Sequence, residues 1–116
     1  SQPKVFAFDD LSVRKMPNGG ESRDVVQGTL ATGEAVAIHE SMQPKGVPPN
    51  VAHAIMHSEF LIVHQGTLEF IHDGKTERAG PGSVIYVAYG TMHQVKNVGD
   101  GEVKYTVISI GGDVNK

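Results

Sequence analysis

From Arg23 onward the chain runs in short apolar segments rich in Val, Ile and Tyr, some alternating with period two and some continuously apolar. These residues suit a pleated, half-buried surface, and none of the segments sustains a 3.6-residue period with helix caps. The pattern predicts strands near 24–30, 34–42, 51–57, 59–65, 67–72, 75–79, 83–88, 92–98 and 102–110. Turn chemistry fills the gaps: Thr32-Gly33, Pro44 to Asn50, Gln65-Gly66, Asp73-Gly74, Gly80-Pro81-Gly82, Gly90 and Gly99-Asp100-Gly101. Asp73-Gly74 is the strongest of these, because both residues tolerate the positive φ of a two-residue hairpin turn. Before Arg23 only Val5 to Phe8 and Val13 are apolar, which predicts an N-terminal edge strand and loop over 1–22, ahead of a barrel over 23–116. Strands about ten residues apart with a turn at each junction predict one all-β domain, a sandwich or barrel of antiparallel strands.

Alternation also assigns faces. With Glu59 turned inward, Leu61, Val63 and Gln65 share its side, while Phe60, Ile62 and His64 point out. Both sides are apolar, so the outer one needs a cover. The N-terminal strand or a second subunit can supply it, which favours a homodimer.

Composition narrows the function. In 116 residues there are 10 basic and 13 acidic side chains, a net charge of -3 that leaves no electrostatic footprint for nucleic acid or anionic lipid. No apolar run approaches the roughly 20 residues of a membrane span. The cytoplasm is favoured, with a periplasmic or secreted location open if a leader preceded Ser1. There is no cysteine, so any metal must be held by His, carboxylate or amide groups. Six histidines are the main chemical lead: His39, His53, His57, His64, His72 and His93.

Two stretches carry a resemblance. One runs from Gly46 through His53, His57 and Glu59 to Gly66; the other runs from Gly82 through Ala88 and His93 to Asn97. They resemble the paired motifs of the cupin superfamily, in its small single-domain, conserved-barrel form. Glu59 and Gly66 keep the spacing of the first motif, and His53 stands at its first His. Gly82, His93 and Asn97 keep the spacing of the second, with Ala88 where Pro is usual. The resemblance implies a double-stranded β-helix (a jelly-roll barrel of two antiparallel sheets) with the motif residues around a divalent metal at one mouth. It also brings a departure: the family's second His falls on Ile55, which cannot ligate.

His57 is the candidate replacement. On a common strand face His57 and Glu59 have Cα atoms about 7 Å apart, within reach of one metal, whereas His53 and Glu59 lie about 20 Å apart unless the chain turns between them. No Gly or Pro marks such a turn in Ala54 to Ser58, so it is implied by the resemblance alone. Three arrangements stay open: His53, His57, Glu59 and His93 as four ligands, a three-ligand set, or a metal-free pocket with a His–Glu pair. Mn, Fe, Ni or Zn suits such donors. Tyr86 and Tyr89 are candidate proton donors toward the cavity, and Met42, Ile55, Met56 and Met92 candidate apolar wall. His39, His64 and His72 read as ordinary strand residues, His72 as a hairpin flank. The implied function is a metal-dependent enzyme acting on a small oxygenated organic compound, of lyase, isomerase, hydrolase-like or dioxygenase type. The alternatives are a non-catalytic binding or sensor barrel and a metal-free isomerase or epimerase with a His base and a Tyr acid.

Overall fold

The computed structural model describes residues 2–116. Ten strands follow one another: β1 (Arg14–Lys15), β2 (Glu21–Thr29), β3 (Ala35–Gln43), β4 (His53–Ala54), β5 (Ser58–Gln65), β6 (Leu68–His72), β7 (Lys75–Ala79), β8 (Val84–Val87), β9 (Met92–Asn97) and β10 (Val103–Ile110). They form two antiparallel sheets, a six-stranded one in the order β1-β2-β3-β10-β5-β8 and a four-stranded one in the order β4-β9-β6-β7. This is the jelly-roll arrangement of the double-stranded β-helix. Sequence neighbours β4 and β5 join different sheets, as do β7 and β8 and also β9 and β10, so each of these connections crosses between the layers.

The core is what alternation predicts. Leu61 and Val63 of β5, Leu68 and Phe70 of β6, Ile85 and Val87 of β8, and Val103, Tyr105 and Val107 of β10 are buried in one cluster. Asp73 takes φ 50° in the tight turn between β6 and β7. Gly66, at φ 78°, is required for a different reason: a Cβ there would lie 2.5 Å from the Glu102 carbonyl oxygen. Asn97 closes the same end of the barrel, its buried amide donating to the carbonyls of Gln43, Pro44 and Gly101 while Gly99 N–H donates to its Oδ1.

Two differences from the expected layout matter. The predicted strand 51–57 shrinks to two residues, because the chain bends at Met56–His57 before β5 begins. That bend is fastened from outside: Gly90 N–H donates to Ile55 O, and Asp113 N–H donates to Met56 O. The N-terminal segment is also less regular than expected, with one 3-10 turn at Phe8–Asp10 and the edge strand confined to β1. Since β1 pairs with Glu21 and Ser22, the six-stranded sheet starts before residue 23.

Candidate active site at the barrel mouth

The bend puts residues on either side of Ile55 onto opposite sheets. His53 lies on β4 and pairs in register with His93 of β9. Their rings are 4.8 Å apart between centroids. His93 is buried, and its Nδ1 is 3.0 Å from the Thr91 carbonyl. A carbonyl can only accept, so this contact makes Nδ1 the protonated nitrogen and leaves the Nε2 lone pair free. His53 repeats the arrangement more loosely, with Nδ1 3.4 Å from Val51 O.

On the other side of Ile55, His57 Nε2 is 2.8 Å from Glu59 Oε1 and its Nδ1 is 2.7 Å from Asp113 Oδ1. Ser109 Oγ donates to the same Glu59 oxygen at 3.2 Å. Asp113 reaches His57 because the segment after β10 turns back over the bend. Gly112 there is packed so closely that a Cβ would overlap the Met56 carbonyl oxygen. Burial by itself lowers the His57 pKa, but the hydrogen bonds His57 donates to Glu59 and Asp113 outweigh it, and the net shift is upward. The imidazolium so favoured donates from both nitrogens and has no lone pair left for a metal.

The four expected metal ligands therefore separate into two pairs, His53 with His93 and His57 with Glu59. Among the described residues no three His, Asp or Glu side chains converge on a point where an ion would sit. The position that would complete the set is Ile55, whose side chain is part of the apolar core. A four-ligand centre does not fit these residues as they stand.

Other expectations about the mouth need correction. Tyr86 pairs with Phe60 on the outer side of the six-stranded sheet, their rings 5.2 Å apart, so it is turned away from the interior. The alternation of β8 explains this, since Ile85 and Val87 take the inward positions. Tyr89 sits in the turn before β9 and is 63% exposed. Of the proposed apolar wall, Ile55 is in the core, whereas Met56 and Met92 are exposed and Met42 lines a groove on the outer face.

Two residues gain importance. His72 pairs with His93 in register, so His53, His93 and His72 form one row across the four-stranded sheet. Its ring stacks on Phe70 at 4.4 Å, and its nitrogens meet Glu77 Oε2 at 2.6 Å and Asp73 Oδ2 at 3.0 Å. Those hydrogen bonds, Glu77 first, raise its pKa. The inward alternation of Leu68 and Phe70 was the signal for His72. Asp113 had none, because 56 residues separate it from His57. His39 faces inward as well, paired with buried Val107, and burial lowers its pKa against the pull of Glu59 and Asp24.

Comparison with known proteins fits this geometry. Residues 38–109 match the family described as Cupin domain. The chain belongs to the cupin family. No curated protein sequence matches it. Among solved structures, KdgF from a Halomonas species superposes with a TM-score of 0.76 at 16% identity, covering 93% of this chain and 94% of the other. The polyketide cyclase RemF from Streptomyces resistomycificus gives 0.75 at 16% identity, over 94% of this cupin and 80% of the other chain. An RmlC-like cupin from Shewanella frigidimarina gives 0.74 at 17% identity, over 93% and 92% of the two chains. At these identities the shared property is the fold.

Proposed function

We propose that this cupin binds a divalent metal ion on His53 and His93 and, beside it, a small oxygenated organic ligand at the mouth of the barrel. The carrying observation is the orientation of the two imidazoles, whose Nδ1 atoms face backbone carbonyls so that both Nε2 lone pairs stay free. Mn, Fe, Ni or Zn suits such donors, and a metal there supplies Lewis-acid polarisation of a ligand oxygen. The chain's own contribution to chemistry is the hydrogen-bonded series Asp113–His57–Glu59–Ser109. His57 Nε2 donates to Glu59 Oε1 at 2.8 Å, so this pair can give a proton to a bound ligand and take one back. An enzyme of lyase or isomerase type is the reading these groups support. The likeness to the cyclase RemF is compatible with it, and the substrate is a separate question.

A second reading rests on the same series taken alone: proton transfer by His57 and Glu59 without a metal, since a doubly hydrogen-bonded imidazolium needs none. Elemental analysis after supplementation with each of the four metals separates the two. The first reading expects stoichiometric metal in the wild type, loss of most of it in His93→Ala and His53→Ala, and retention in Glu59→Gln. Metal that is absent from the wild type, or that survives both histidine substitutions, overturns it in favour of the second.

A further inference from the structure

Along one side of the sandwich the two sheets separate. β7 is the edge strand of the four-stranded sheet and β8 the edge strand of the six-stranded one, and the two do not pair with each other. The chain changes layers between them through Gly80-Pro81-Gly82-Ser83, and a cleft of about 360 Å³ lies between the two edges. That volume falls within the about 300–1,000 Å³ of ordinary small-molecule pockets. The cleft reaches the core, for Phe70, Ala79 and Ile85 line it and all three are buried.

Register explains what stands at its lip. Ladder partners share a face, and Ala79 pairs with buried Leu68 while Glu77 pairs with buried Phe70. Alternation along β7 therefore turns a carboxylate toward the interior side of an edge strand. His72 meets it from β6: its Nε2 donates to Glu77 Oε2 at 2.6 Å and its Nδ1 to Asp73 Oδ2 at 3.0 Å, with the Phe70 ring stacked at 4.4 Å. The imidazole is held at both nitrogens and on one face, and it fixes Glu77 in place. Arg78 also borders the cleft but belongs to the opposite face of β7, in register with Glu69. Phe70 lies 6.0 Å from the His93 ring as well, so cleft and barrel mouth share a wall.

We propose that this cleft is a second binding site, for a small phenol-like ring whose flat body rests on Phe70, Ala79 and Ile85 and whose hydroxyl donates to the Glu77 carboxylate. Each part of the ligand answers a feature of the cleft. The apolar floor takes an uncharged ring. The carboxylate at the lip accepts a hydroxyl proton in a charge-assisted hydrogen bond, stronger than a neutral one. A ring without a donor strips water from Glu77 and gives nothing back, and an anionic ring is repelled by Glu77 and Asp73. An inward charge on an edge strand also guards against sheet-to-sheet pairing, but that role needs no cavity behind the charge and does not discriminate among ligands. The site is independent of any metal at the mouth.

Three probes of nearly equal shape test this by fluorine and methyl NMR on the full chain at pH 7: 4-fluorophenol, 4-fluoroanisole and 4-fluorobenzoate. The phenol is expected to bind saturably with a dissociation constant on the order of 1 mM, shifting the Ala79 and Ile85 methyl signals most. The anisole, which lacks the donor, binds about tenfold more weakly, and the benzoate more weakly still. Glu77→Gln, at an exposed side chain with little folding risk, brings the phenol at least about fivefold closer to the anisole. Ala79→Val narrows the floor and weakens both neutral probes together, with the remaining methyl spectrum reporting that the barrel is intact. Three results overturn the proposal: no saturable shift up to 20-fold above the expected constant of about 1 mM, shifts centred on His53 and His93 instead of the cleft, or a phenol that binds no better than the anisole in the wild type. Any of them leaves Glu77 as an edge guard alone.

Discussion

His57 Nε2 lies 2.8 Å from Glu59 Oε1, while Asp113 holds the opposite nitrogen at 2.7 Å, so the imidazole is clamped between two carboxylates. The net effect is a folded-state pKa above the ordinary 6.5. A raised histidine pKa stabilises the fold fully below the unfolded value, and that contribution is lost as pH rises through the folded one. Chelator-treated protein is therefore expected to lose this increment above pH 6.5. Glu59→Gln should remove about 1.5–3 kcal/mol at acid pH, with a smaller deficit at alkaline pH. Urea unfolding at several pH values measures it; a deficit that grows with pH contradicts the clamp.

Ile55 lies in the chain between His53 and the His57–Glu59 pair and is buried in the core. Ile55→His puts a third imidazole beside His53 and His93. Metal affinity is expected to rise at least about tenfold, while the metal-free protein loses about 1–3 kcal/mol from burying a polar ring. Calorimetric titration and thermal melting check the two halves separately. Unchanged affinity in a folded variant means that the position does not face the anchor.

Asn97 ties three carbonyls and one N–H across the closed end of the barrel. Asn97→Ala leaves these groups without their partner in a buried place, at a cost of about 1–3 kcal/mol. Because this end is remote in role from the histidines, metal content should stay at the wild-type level. Chemical denaturation with parallel elemental analysis distinguishes this structural role from one in binding.

Gly112 lies against the Met56 carbonyl at φ 51°. Gly112→Ala must push the C-terminal segment off the bend, and Asp113 moves with it. The expected outcome is destabilisation of about 2 kcal/mol or more, together with a fall in the His57 pKa toward its ordinary value. Ring-nitrogen NMR reads the second effect directly. Asp113→Asn should lower the His57 pKa with little loss of backbone packing, and a His57 that titrates alike in both variants and the wild type would falsify the strap as its positioning device.

The strands and the core were legible along the chain because alternation is local: Leu61, Val63, Ile85 and Val87 lie inward wherever their strands are placed. Motif spacing likewise drew attention to His53, Glu59 and His93. What the tertiary structure decided was which of these meet. A bend that no Gly or Pro announces sends His53 to one sheet and Glu59 to the other. An aspartate 56 residues away takes the His57 nitrogen. The strand register brings His72 into line with His93. Tyr86 is excluded from the interior by its phase on β8. Such pairings depend on distances between segments far apart in sequence, and a pattern of neighbours along the chain does not contain them.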